Sequence, residues 1–136
     1  MSRQLVAIFM MFSSLSFAQD RELASVRESA FRIDKTYSKP DATMKNELLA
    51  LENQLKAIIQ SRETQNPTPE QFDLEVDAQT LFATWEPVFE LNRHKDRKKC
   101  TTQIGALEFE GTMGFEEGQV RPDYAIAIKL LKKICL

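Results

Sequence analysis

The chain is poor in the residues that most often carry catalytic and metal chemistry. It contains one histidine, His94, and two cysteines, Cys100 and Cys135, with no CxxC spacing. A structural zinc site, which needs four ligands, would therefore be incomplete, and a Ser-His or Cys-His mechanism would have to use a histidine surrounded by five cations. The sequence thus argues against a metal centre and a triad hydrolase, and it predicts no cofactor and no catalytic residue.

Glycine is also scarce, and all four glycines lie between residues 105 and 118. The segment from Gly111 to Gly114 lacks the Lys-Ser or Lys-Thr pair that ends a phosphate-binding loop. The acidic residues nearby do not follow the alternating oxygen-ligand spacing of a calcium loop. Neither kind of loop is indicated.

Long hydrophobic runs are missing. The run from Leu5 to Phe12 is much shorter than the roughly 20 apolar residues of a membrane-spanning helix. With Arg3 before it and small residues up to Ala18 after it, it has the pattern of a secretory signal peptide. We therefore expect cleavage after Ala18 and a single exported domain over 19–136, periplasmic or secreted, with no transmembrane segment. The alternative is a retained N-terminal anchor.

The composition is that of a globular domain. Hydrophobic residues make up 43% of the chain and charged residues 28%, which argues against disorder. Eighteen Lys and Arg against 20 Asp and Glu give a net charge of −2, or −3 without the Arg3 of the signal segment. So mild a balance indicates no particular partner. Cys100 and Cys135 form an even pair in an exported chain, so we expect a disulfide, worth about 4 kcal/mol in the chain-entropy model.

Two amphipathic helices are predicted first. Apolar residues recur every three or four positions in two stretches, which are Leu23, Val26, Ala30, Ile33 and Tyr37, and then Met44, Leu48, Leu51, Leu55 and Ile58. The short link between them contains Pro40, so they should form an αα-hairpin. Glu52 and Lys56 have the spacing of an ion pair on the polar side. We interpret the two apolar stripes as part of the protein core. The alternative is that they form an exposed dimer interface.

The rest of the fold is predicted to be mainly helical. Thr68 to Gln71 has the pattern of a capping box and begins a third helix, in which Pro87 predicts a kink or a restart. A last helix begins at Pro122. Between them, 101–121 is predicted to be a short β-hairpin, with strands at 107–110 and 112–115, or a Gly-rich loop.

The stretch RHKDRKKC, at 93–100, holds five Lys or Arg in seven positions and follows an acidic block at 66–92. Cations often end helices, but five exceed what the helix dipole requires. A disulfide would place this run near the last helix's lysines. The predicted binding surface comprises Arg93, Lys95, Arg97, Lys98, Lys99, Lys132 and Lys133. Solvation or pairing with the protein's own acids is the structural alternative.

The favoured function is therefore a non-enzymatic binding or adaptor module that contacts an anionic partner near the disulfide. An acidic protein, lipid headgroups or a cell-wall polymer would qualify, whereas nucleic acid is disfavoured because no reading motif is present. Two alternatives stay open. One is a small hydrolase using Glu108, Glu110, Glu116 or Glu117, and the other is an assembly protein using the helical hairpin.

Overall fold

The computed structural model describes residues 20–113 and 120–136, and the predicted signal segment lies outside this part of the chain. The described residues form five α-helices and no strand, which confirms the mainly helical prediction. The helices are α1 (Arg21–Thr36), α2 (Ala42–Arg62), α3 (Pro69–Arg93), α4 (Arg97–Thr112) and α5 (Pro122–Ile134). Within the described ranges, no helix combines the length and the apolar character that crossing a bilayer requires.

The two predicted stripes of the helical hairpin face the interior. Every stripe residue of α1 and α2 is buried except Tyr37, which is partly buried against the core. Asp41 begins α2 by accepting a hydrogen bond from the backbone N–H of Met44 at 2.8 Å. This N-cap follows Pro40 directly, so the chain turns and restarts a helix within a few residues.

Helix α3 begins with the predicted capping box. The Thr68 hydroxyl accepts from the backbone N–H of Gln71, and the Gln71 side chain accepts from the backbone N–H of Thr68. The helix then continues through Pro87 without interruption, so no restart occurs. Proline leaves the carbonyl of Ala83 without its helical donor, but Ala83 is exposed to water and the buried Val88 anchors the following turn.

The strand predicted at 107–110 is wrong, because Arg97–Thr112 is helical. The fully buried positions of α4 are Cys100, Leu107 and Gly111, and the partly buried Ile104 lies on the same face; the steps of four, three and four along this face are those of a helix. The alternation of Leu107 and Phe109 suggested a strand, yet Phe109 is 69% exposed. Of the other predicted strand, 112–115, Thr112 is the last residue of the helix and Met113 is its C-cap; residues 114 and 115 lie outside the described part.

Helices α1, α2, α3 and α5 contact one another in a closed ring, and α4 packs mainly on α5. Helices α1 and α5 run parallel, because Arg27 pairs with Asp123 near their beginnings and Asp34 pairs with Lys133 near their ends. In the core between them, Trp85 of α3 donates its indole N–H to the carbonyl of Asp123 at 3.0 Å.

The other helix directions follow from contacts between helix ends. Asn92 near the end of α3 donates to the carbonyl of Lys45 near the start of α2, so these helices are antiparallel. Helices α4 and α5 are antiparallel because Cys100 begins one and Cys135 follows the other. The N-termini of α2 and α4 therefore meet the C-termini of α1, α3 and α5. We call this the disulfide end.

Candidate anion-binding site

The predicted disulfide is present and joins α4 to α5. Cys100 and Cys135 are bonded, their Cα atoms are 5.9 Å apart, and Cys100 is 4% exposed. The bond closes a loop with a sequence separation of 35 residues. The chain-entropy model assigns such a loop about 4 kcal/mol of stabilisation. Helix α4 has few buried side chains, so the bond is a principal attachment of this helix.

The basic run spans two helices instead of ending one. Arg93 is the last residue of α3, and Arg97 is the first residue of α4. Arg97, Lys98 and Lys99 therefore lie at the positive end of the α4 dipole, where each cation is unfavourable by about 0.3–1 kcal/mol. The N-cap Asp96 opposes this cost by accepting from the backbone N–H groups of Lys98 and Lys99. Stabilisation of a helix C-terminus consequently explains Arg93 but not the three cations of α4.

Four of the seven predicted surface cations form ion pairs within the protein. Their pairs are Arg93–Glu52, Lys99–Glu90 at 3.2 Å, Lys132–Glu108 at 3.5 Å and Lys133–Asp34 at 2.7 Å. Glu52 is 3% exposed and also pairs with Lys56 at 3.2 Å, which confirms the predicted pair but places its carboxylate inside the protein. For these four cations, the alternative considered in the sequence analysis, pairing with the protein's own acids, is therefore correct.

The remaining three cations, Lys95, Arg97 and Lys98, form no ion pair with an acidic side chain within the described residues. Lys95 donates to the main-chain oxygen of Leu136 at 3.3 Å. The side chains of Arg97 and Lys98 are exposed and have no hydrogen-bond or ion-pair partner within 20–113 and 120–136. Within the described part of the chain, the charges of these two side chains are therefore not neutralised by an acidic neighbour.

The ion pairs also show that the cations of the predicted binding surface lie at different places around the disulfide end. Lys133 pairs with a residue of α1, Lys132 with one of α4, and Arg93 with one of α2. The seven cations therefore do not share one set of neighbours. Arg93 and Lys95 are brought together, since both line the same cleft.

This cleft has a volume of about 360 Å³ and lies between the α1–α2 turn and the C-terminal ends of α3 and α5. Its third cation, Lys45, was missed in the sequence. Lys45 is a single basic residue on the polar face of α2, and only the antiparallel packing of α2 on α3 brings it beside Arg93 and Lys95. We call Lys45, Arg93 and Lys95 the cleft cations.

Acidic groups near the cleft are engaged in other contacts. Asp41 lines the cleft, but its carboxylate caps α2 through Met44. Partial burial of Tyr37 raises the pKa of its phenol above the ordinary value, and nearby Glu47 raises this pKa further. Tyr37 therefore stays neutral at physiological pH and adds no negative charge at this end.

A second cleft, of about 380 Å³, lies between α1, α3 and α5 away from the disulfide end. Its Arg27 guanidinium is engaged by both carboxylate oxygens of Asp123, at 2.9 and 3.1 Å. Asp20 and Asp77 add negative charge to the lining. Because cations and anions are mixed there, this cleft does not select one charge of ligand.

The hydrolase alternative lacks a suitable pair among the described residues. Glu108 and Glu110 are exposed on α4, and Glu108 is paired with Lys132. Glu116 and Glu117 lie outside the described ranges. A glycosidase acid needs a desolvated environment, which Glu108 and Glu110 do not have. The ranges 20–113 and 120–136 also contain no cluster of three His, Cys, Asp or Glu residues able to hold a metal ion.

The chain was compared with known proteins at three levels. No protein-family model matches it, and neither a curated protein nor a solved structure does. A functional interpretation therefore depends on the geometry of the disulfide end.

Proposed function

We propose that this protein is a small, exported, non-enzymatic binding or adaptor module that contacts an anionic partner through its disulfide end. The observation that supports this proposal best is the position of Arg97 and Lys98. Both are exposed at the positive end of α4, and neither has a side-chain partner among the described residues. An anion bound to them would offset both the dipole cost and their mutual repulsion.

Export is part of the proposal. The signal-peptide pattern of residues 1–18 supports it, and so does the disulfide, because such bonds persist mainly in oxidising compartments. In that setting the partner is an acidic protein surface, an anionic lipid headgroup or an anionic cell-wall polymer. All three present multiple negative charges to an exposed cationic surface.

The test compares wild type with Arg97→Gln/Lys98→Gln. Retention is measured on anionic vesicles, peptidoglycan fragments and a panel of acidic proteins across a salt series. We expect wild-type retention to fall steeply with salt, because exposed charges are screened over about 8–10 Å at moderate ionic strength. The variant should lose most of its retention while keeping its stability, since exposed substitutions usually change it by no more than about 0.5 kcal/mol.

A matched control is Arg21→Gln/Lys129→Gln. Arg21 and Lys129 are exposed, and neither forms an ion pair within the described residues. Arg21 lies at the opposite end of the protein and Lys129 in the middle of α5. This control removes one Arg and one Lys, so the net charge changes equally. Equal behaviour of wild type and Arg97→Gln/Lys98→Gln on every anion would refute the proposal, as would equal losses in the two variants.

A further inference from the structure

The cleft at the disulfide end combines apolar surface with positive charge. The buried side chains of Met44, Leu91 and Ile134 close its floor. One wall is formed by Pro40 and Ala42, which are exposed. The cleft cations lie around this apolar surface. A site of about 360 Å³ with apolar lining and a few convergent polar groups has the size and character of a small-molecule pocket.

The lining of the cleft has three cations and one acid, Asp41, whose carboxylate also caps α2. The Glu52 carboxylate is shared between Arg93 and Lys56, so one negative charge serves two cations. Arg93 contacts Glu52 through Nη1. Lys45 has no ion-pair partner within the described ranges, and Lys95 contacts the main-chain oxygen of Leu136. A bound anion would therefore reduce the repulsion among the cleft cations.

We infer that this cleft binds a small amphipathic anion, with its phosphate or carboxylate head at Lys45, Arg93 and Lys95 and a short apolar group against Pro40 and Ala42. The inference rests on the proposed function, because Arg93 and Lys95 belong to the same basic end. It goes further by specifying the ligand: charge alone is insufficient, and the ligand must carry apolar surface. Guanidinium and ammonium donors are suited to either head group.

The probe is hexyl phosphate, measured by calorimetry against two reference ligands. Inorganic phosphate has the charge without the chain, and hexyl glucoside has the chain without the charge. Each methylene that the cleft buries should strengthen binding roughly fourfold. We therefore expect hexyl phosphate to bind at least about tenfold more tightly than either reference ligand, because the chain and the charge each contribute.

The variant that tests the residues is Lys45→Gln/Lys95→Gln. It should weaken hexyl phosphate binding by about tenfold or more, since each lysine makes a charge-assisted contact. The Arg21→Gln/Lys129→Gln control should bind as wild type does. Far-UV circular dichroism and the melting temperature confirm that both variants are folded. Undiminished binding by Lys45→Gln/Lys95→Gln would overturn the assignment of the cleft.

Three other results would also overturn the inference. These are no binding of hexyl phosphate, equal binding of inorganic phosphate, and equal binding of hexyl glucoside. Arg97→Gln/Lys98→Gln separates this inference from the proposed function, because those residues do not line the cleft. If that variant loses retention on polyanions while wild type fails to bind hexyl phosphate, the cleft inference fails and the proposed function stands.

Discussion

Two glycines of α4 provide a direct test of how this helix packs. A Cβ added at Gly111 would lie 2.8 Å from Tyr124 Cβ and 2.9 Å from Val120 Cγ1, closer than side chains tolerate. The Tyr124 atom is attached directly to the α5 backbone, so it cannot withdraw unless the two helices separate. At Gly105 an added Cβ would meet no atom within 4 Å. The two sites therefore share one helix and differ in their surroundings.

Alanine should consequently have different effects on stability at the two positions. Alanine in a helix is favoured over glycine by about 0.8–1 kcal/mol, so Gly105→Ala should stabilise the protein by roughly that amount. Gly111→Ala has the same propensity gain but adds overpacking, which costs about 1–3 kcal/mol. We expect the two variants to differ by about 1–3 kcal/mol in free energy of unfolding, with Gly111→Ala the less stable.

Urea unfolding followed by circular dichroism measures this difference as a shift in midpoint at constant slope. Two outcomes would refute the reasoning. If both variants are stabilised equally, α4 and α5 do not approach closely at Gly111. If Gly105→Ala destabilises the protein, residue 105 is not an exposed helical position, and the loop predicted from the sequence becomes the better description.

Two further substitutions test the hairpin and the disulfide. Leu51 is 3% exposed, so Leu51→Asp should cost several kcal/mol by burying an unpaired charge, whereas Asn53→Asp on the exposed side should change stability by less than about 0.5 kcal/mol. Equal melting temperatures for these two variants would place the stripe in solvent and favour a partner surface. Reducing the Cys100–Cys135 bond, or replacing both residues with Ser, should lower the free energy of unfolding by about 4 kcal/mol. Alkylation of two thiols in the native, unreduced protein would contradict the disulfide.

The helices that were predicted correctly are those with an apolar side chain at nearly every buried position. In α1 and α2, Val, Leu, Ile and Met recur at helical spacing, and the pattern alone identifies the buried face. Helix α4 escaped prediction because one of its buried positions is Gly111. Its burial arises from the close approach of α5, which a single helix cannot indicate. Clustered glycines usually mark a turn. In this chain, however, Gly111 lies where two helices pack closely, and Gly105 is an exposed helical position.

The candidate site was predictable only in part, for a related reason. The disulfide was predicted from the even pair of cysteines, and the cations are visible as a run. Their partners are not visible, because Glu52 lies on α2 and Asp34 on α1, far from the run along the chain. Lys45 likewise enters the cleft through the antiparallel packing of α2 on α3. Contacts between distant segments require the helix directions, and those are known only from the structure.

The fold changes how the basic run should be interpreted. Favourable interaction with a helix C-terminus applies to Arg93, and to Lys132 and Lys133 in the last turn of α5. Internal pairing applies to these three and to Lys99. Neither explanation covers Arg97 and Lys98, which lie at the opposite dipole end without a side-chain partner in the described ranges. A solvated surface would be equally well served by neutral polar residues at less electrostatic cost. The charge of these two residues is therefore the feature on which the proposal of an anionic partner rests.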